Sequence, residues 1–346
     1  MTEGQHGVPR ETRRGERVSA ERVRETVSEA VSGVGAGVLG AGEVIYGDGG
    51  GMTPIAEEAA RAARVLHPED HRMPRPSRRR VITVANQKGG VGKTTSTVNL
   101  AAALALHGAR VLVVDLDPQG NASTALGVDH RSGVPSIYEV LIGEMTLDEA
   151  AQVCDRSPDL LCVPATIDLA GAEIELVSMM NRESRLRQAL ATDVLDRLDV
   201  DYVLVDCPPS LGLLTLNAMV AAPEVLIPIQ CEYYALEGLS QLLNNIGLVQ
   251  SHLNPSLHVS TILLTMYDGR TKLADQVTHE VRSHFGDLVL RTVIPRSVKV
   301  SEAPGFGQTV LTYDPGSRGA MSYLDAAREF AARTIVRRTE GAEGAR

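Results

Sequence analysis

Residues 81–107 read V-I-T-V-A-N-Q-K-G-G-V-G-K-T-T-S-T-V-N-L-A-A-A-L-A-L-H. A β-branched run, a glycine turn and an apolar helical segment, in that order, constrain the fold more than any other part of the chain. This is the strand, loop and helix context that a phosphate-binding loop requires. The glycines let backbone N–H groups turn inward and approach phosphate oxygens with no Cβ in the way. The helix N-terminus adds partial positive charge, Lys93 reaches toward the β and γ phosphates, and the Thr94 hydroxyl can ligate Mg²⁺. Gly89, Gly90, Val91, Gly92, Lys93, Thr94 and Thr95 are therefore the candidate nucleotide contacts. The stretch also holds Lys88, one lysine more than such a loop needs.

From Arg80 onward, short apolar runs alternate with longer amphipathic segments. V-I-T-V-A, V-L-V-V-D, Y-V-L-V-D, V-L-I-P-I, V-S-T-I-L-L-T and T-V-I-P are each bounded by turn residues and read as buried strands. Helices are expected over Gly92–His107, Leu169–Leu198 with a break near Asn181, Leu213–Val220, Leu236–His252, Leu273–Phe285 and about Arg318–Arg338. The alternation implies an α/β fold: a mainly parallel, twisted sheet with helices on both faces and ligands at the carboxyl ends of the strands.

Three acids complete the chemistry. Asp115 and Asp117, in V-L-V-V-D-L-D-P-Q-G-N, stand two residues apart and point the same way, where they could serve a metal-water shell and orient an attacking water. Asp117, before Pro118, also fits a simple turn-starting residue. Asp206 follows four apolar strand positions in Y-V-L-V-D-C-P-P, the usual form of a Walker B aspartate holding Mg²⁺ through water.

The first 79 residues differ in texture. They are broken by G-V-G-A-G-V-L-G-A-G and G-D-G-G-G-M and carry no apolar strand run, so a mostly disordered arm is expected over residues 1–79, with two short helices at most. The arm ends in R-M-P-R-P-S-R-R-R, read either as a solvated linker or as an auxiliary DNA contact. The ATPase domain is placed at 80–338 and a flexible tail at 339–346. Residues 1–80 hold 13 Arg against 12 acids, and the remainder holds 21 basic against 31 acidic residues, within a net charge of -9. Bulk charge therefore announces no nucleic-acid partner. The N-terminus lacks a secretory pattern, no window reads as a bilayer span, and the spacing of the four cysteines matches no metal motif. A cytoplasmic protein with reduced thiols is expected.

The motifs K-G-G-V-G-K-T-T, V-D-L-D-P-Q-G-N, D-L-A-G-A-E-I-E-L-V, D-C-P-P-S-L-G-L-L-T and Q-C-E-Y-Y-A-L-E-G-L resemble the ParA branch of the ParA/MinD ATPases, P-loop NTPases with a deviant Walker A motif. The likeness is greatest to chromosomal ParA (Soj) proteins, runs from about Arg80 to about Ile335, and leaves out the arm. It implies an ATP hydrolase that segregates DNA. Such a protein forms a sandwich dimer with ATP and Mg²⁺, binds double-stranded DNA without sequence preference at the nucleoid, and is released when a ParB-type centromere-binding protein stimulates hydrolysis. By the resemblance, Lys88 crosses to the partner's phosphates, Gly89 allows close approach there, Asp117 positions the hydrolytic water, and Asp115 and Asp206 support the magnesium. Arg270 in Y-D-G-R-T and Lys299 in I-P-R-S-V-K-V match DNA-contacting positions, with Lys299 standing where relatives often carry Arg. Pro295 and Arg296 match the adenine-side loop. A positioning ATPase for a plasmid or protein cargo would carry the same motifs. A membrane organiser is disfavoured because the chain ends R-R-T-E-G-A-E-G-A-R, with no apolar face. No cysteine pair matches an iron-sulfur donor, and the arm lacks the adjacent apolar helices of an operator-binding motif.

Overall fold

The computed structural model describes residues 68–232 and 237–340. Strand β1 (Arg80–Val84) leads into α1 (Lys93–Leu106) and β2 (Val111–Asp115). Short helices α2 (Asn121–Leu126), α3 (Ile137–Ile142) and α4 (Leu147–Ala150) precede β3 (Gln152–Cys154) and β4 (Ser157–Val163). Helices α5 (Leu169–Ser178), α6 (Arg185–Ala189) and α7 (Thr192–Leu198) lead to β5 (Tyr202–Asp206), and α8 (Leu213–Ala221) leads to β6 (Glu224–Gln230). Then come α9 (Glu237–His252), β7 (His258–Tyr267), α10 (Lys272–Phe285), β8 (Val289–Pro295), α11 (Val298–Glu302), α12 (Val310–Tyr313) and α13 (Arg318–Glu340).

The eight strands form one sheet in the order β3-β4-β2-β5-β1-β6-β7-β8. Every neighbouring pair is parallel except β3 with β4. Strand residues alternate between two cores, as the period of two requires. Val111, Val113, Tyr202 and Leu204 pack with α1 and α13, while Leu112, Val114, Val203 and Val205 pack with α5, α8, α9 and α10. The expected α/β architecture is thus present, and the break near Asn181 is a left-handed residue between α5 and α6 with φ 54°.

Two features differ from the sequence reading. Strands β3 and β4 were not expected, because S-P-D-L-L-C-V offers only four consecutive apolar residues behind a proline and an acid. Residues 71–79, assigned above to the arm, are bonded to the domain. Met73 is buried, its N–H donates to the His107 carbonyl, Arg75 Nε donates to the Gly108 carbonyl, and Arg79 donates to the Val200 carbonyl and to Asp196. Part of the arginine tract thus clamps the start of the domain. The remainder of the proposed arm, residues 1–67, and most of the proposed tail lie outside the described residues.

Arg80 staples α13 to the sheet. Its Nε and Nη2 donate to the two Glu224 carboxylate oxygens at 2.9 and 2.6 Å, Nη1 donates to the Phe330 carbonyl, and the guanidinium lies 4.0 Å from the Phe330 ring centroid. Burial works against the Glu224 carboxylate, yet the Arg80 bonds hold its carboxyl below the usual range. Arg80→Met leaves that carboxylate buried without its partner, so a loss of about 3–5 kcal/mol in chemical denaturation is expected. The double variant Arg80→Met, Glu224→Leu should recover most of the loss, and equal losses in the two variants would contradict the pairing.

Candidate functional site

Parallel strands place all their carboxyl ends on one edge, and the candidate residues gather there. The loop after β1 turns through two left-handed glycines, Gly90 (φ 74°) and Gly92 (φ 87°), a conformation that side-chain-bearing residues rarely adopt. The Asn86 side chain braces the loop: its Nδ2 donates to the Pro228 carbonyl at 2.7 Å and its Oδ1 accepts the Lys88 N–H. On the far side, the Thr265 hydroxyl donates to the Val91 carbonyl at 2.8 Å, tying the loop to β7. Lys93, the first residue of α1, folds back so that Nζ lies 3.4 Å from the Lys88 carbonyl. Burial lowers its pKa, with Asp206 acting in the opposite sense.

Asp206, at the end of β5, sits beneath α1. The Thr94 hydroxyl donates to Oδ2 at 2.7 Å, and the Thr97 hydroxyl, one turn later, donates to Oδ1 at 2.9 Å. Complete burial pushes the Asp206 carboxyl up, Asp115 adds to the rise, and the threonine hydrogen bonds oppose it. Asp115, paired in register with Asp206, is also fully buried and pushed up by that burial. Its Oδ2 accepts both the N–H and the hydroxyl of Ser123, and its Oδ1 accepts the Asp117 N–H. Asp115 therefore locks α2 and the Asp117 turn in place. Asp117 accepts the Gln119 N–H on Oδ1 and the Gly120 N–H on its carbonyl. The turn-starting geometry is present, and the same geometry fixes the carboxylate at the edge of the phosphate cradle.

The structure thus brings together Lys93, Thr94, Asp115, Asp117 and Asp206. Lys88 stands apart: its Nζ is 3.6 Å from Glu232 Oε2, and Arg296 Nη2 is 3.3 Å from Oε1 of the same carboxylate. Pro295 ends β8 and registers with Tyr267, whose carbonyl accepts the Arg296 N–H. Arg270 and Lys299 lie farther out, in the loop after β7 and in α11. Arg270 is held by both oxygens of Asp268 at 2.8 and 2.7 Å with 87% of its side chain exposed, and Lys299 pairs with Glu302 at 3.1 Å. Thr97, Ser123, Thr265 and Glu232 were missed in the sequence. Thr97 was within reach, being three residues beyond Thr94 on one helix and so on the same face. The other three are joined to the site only by the tertiary fold.

A strand-loop-helix unit with an inward lysine, a threonine at the helix start and buried acids at the adjoining strand ends define a P-loop ATPase. A family model described as AAA domain matches residues 79–259. The sporulation initiation inhibitor protein Soj of Bacillus subtilis is 53% identical over 253 residues, covering 73% of this chain and 98% of that protein. The chromosome partitioning protein ParA of Caulobacter vibrioides is 50% identical over 263 residues, covering 76% of this chain and 98% of that protein. Among solved structures, one described as cobyrinic acid a,c-diamide synthase from Mycobacterium smegmatis with bound ADP and magnesium superposes with a TM-score of 0.63 at 41% identity, covering 76% of this chain and 96% of that chain. The chain belongs to the ParA/Soj family of partitioning ATPases. Among the described residues, no helix is long and apolar enough to cross a membrane.

Asp206 gives a prediction with a definite sign. Its folded-state pKa lies above the unfolded value, so ionisation costs stability, and the cost grows as pH rises from the ordinary carboxylate range toward the raised value. Asp206→Asn should therefore raise the melting temperature of the nucleotide-free protein by a few degrees at pH 8 and give no gain near pH 4. Calorimetry at the two pH values checks this, and a variant that melts with the wild type at both would contradict it.

Proposed function

We propose that the chain is an ATP-driven DNA-segregation switch, which pairs as an ATP-bound dimer, holds DNA in that state and lets go on hydrolysis. The observation that carries this reading is the division of labour between the two loop lysines. Lys93 fills the cradle of its own chain, whereas the Lys88 side chain leaves that cradle and lies 37% exposed beside Glu232. A cation so placed is available to phosphates bound in a second subunit, where it compensates charge that builds in the transition state. Gly89 supports the same reading, because a Cβ there would meet nothing within 4 Å in its own chain. The steric reason for that glycine then lies outside the chain. An exposed apolar face on α5, formed by Ile174, Val177 and neighbouring Met180, borders the start of α8 through the Glu173 contact to the Leu214 N–H and suits a protein partner.

ATP and Mg²⁺ fit the site. Thr94 and Asp206 present hydroxyl and carboxylate oxygens within 2.7 Å of one another, the donor set that Mg²⁺ takes beside phosphate. Asp115 supports that set at one remove by fixing α2 and Asp117. When bound, the ion neutralises charge on the β and γ phosphates, while this chain's Asp117 orients the attacking water and Lys93 holds the phosphates. Pro295 and Arg296 border the base. DNA is held through phosphates by Arg270 and Lys299, doubled in the dimer, and release follows hydrolysis stimulated by a ParB-type centromere-binding partner. The protein works in the cytoplasm, on the nucleoid.

Light scattering with ATP and Mg²⁺ should show a dimer, and ADP should leave a monomer; an equally dimeric ADP form would contradict the role given to Lys88. Asp117→Ala should keep ATP binding and dimerisation while lowering phosphate release about a hundredfold or more, the scale on which a water-positioning group acts.

DNA binding is tested separately, by salt titration on two unrelated duplexes. With ATP, both should bind alike and weaken steeply as salt rises. Arg270→Glu or Lys299→Glu should cost about tenfold or more while sparing the ATP dimer. Salt-insensitive or sequence-selective binding would move the DNA surface elsewhere.

A further inference from the structure

Glu232 stands just past the end of β6, and its carboxylate serves several groups at once. Oε2 lies 3.6 Å from Lys88 Nζ, while Oε1 lies 3.3 Å from Arg296 Nη2 and accepts a hydrogen bond from Gln230 Nε2. The Gln230 bond aims the carboxylate, and the two cations share it. Beyond Arg296 the alternation of sign continues: Asp268 lies within the field of Arg296 and is clamped by Nε and Nη2 of Arg270. The Arg296 N–H is anchored to the Tyr267 carbonyl, next to Asp268. A row of charges, plus, minus, plus, minus, plus, therefore runs from the phosphate loop to the turn that carries Arg270.

We propose that Glu232 is a positioning residue that holds Lys88 and Arg296 in one cluster within the nucleotide-free subunit, and so sets the ATP concentration at which Lys88 transfers to a second subunit. The proposal rests on the dimer reading above. Lys88 Nζ is a single compact cation, and it cannot neutralise Glu232 and a partner's phosphates fully at the same time. Glu232 is 45% exposed, so its hold on Lys88 is weak enough to be displaced. A triphosphate offers more negative charge than a carboxylate at the same point and displaces it, whereas a diphosphate lacks the group that reaches the interface. When Lys88 departs, Glu232 is left to Arg296 and to the Gln230 amide.

The test uses the full chain, with wild type and Glu232→Gln, an isostere that removes only the charge. Titrated with ATP and Mg²⁺ and followed by light scattering, the variant should reach half-maximal dimer at an ATP concentration about threefold lower or less, the scale of two exposed ion pairs. The gap should close in high salt, and the thermal melts of the two proteins should coincide. A second measurement reads the cluster directly: reductive methylation of the nucleotide-free protein should modify Lys88 faster in the variant, with Lys272 unchanged as an internal control. If wild type forms no ATP dimer, the underlying reading fails. If wild type dimerises and the variant needs the same or more ATP, or if Lys88 is modified at the same rate in both, the role given to Glu232 is overturned and the dimer reading stands.

Discussion

A carboxylate buried at the end of a central strand, Asp206, sets the geometry on which the site depends. Thr94 and Thr97 both donate to it, so the first turn of α1 is bolted to β5, and the phosphate loop between β1 and α1 has little freedom left. Asp115 repeats the device one strand over, where Ser123 and the Asp117 N–H bolt α2 and the following turn to β2. Two buried acids in register, each holding a helix start against a strand end, make a rigid floor for the cradle. Burial raises both carboxyl pKa values, and the divalent cation proposed to bind there would reverse the rise. Stability in the empty state would be given up for that binding, as is usual where function and packing compete.

The cations are arranged on a different plan. Arg270 lies against Asp268, Lys299 against Glu302, and Lys88 with Arg296 against Glu232. Each basic group proposed to act on phosphate outside its own cradle has an acid of its own chain beside it. These pairs are exposed and individually weak, so a polyanion can displace them. The plan would reconcile an acidic chain with the proposed phosphate-binding surface: positive charge is masked locally and would appear where phosphates compete for it.

Much of this was legible in the sequence because the signals are local. The phosphate loop, the strand-final acids and the six apolar strands follow from spacing within a few residues, and the family motifs extend the reading to Lys88, Arg270 and Lys299. What escaped depends on distant partners. Strand β4 has too short an apolar run behind Pro158 to be seen alone, and it exists because Leu160 to Val163 pair with β2. Glu232 lies within a quoted motif, yet its meaning comes from Lys88, 144 positions earlier, and Arg296, 64 positions later. Residues 71–79 look like a linker because only Met73 among them is buried in the core, and the rest are held by hydrogen bonds to backbone carbonyls and by the Arg79–Asp196 pair, which leave no hydrophobic pattern.

Those same residues fix where the described chain enters the domain. Met73 and His71 bond to His107, just past the C-terminal end of α1, and Arg75 and Arg79 bond to Gly108 and Val200 beside it. Helix α1 has 14 residues, so this entry lies about 20 Å from the phosphate loop, on the opposite edge of the sheet. A fluorophore or affinity handle fused ahead of Pro68 therefore roots on the side away from nucleotide and from the proposed subunit contact. That rear mounting point makes the chain suited to imaging and surface immobilisation with its working face left clear.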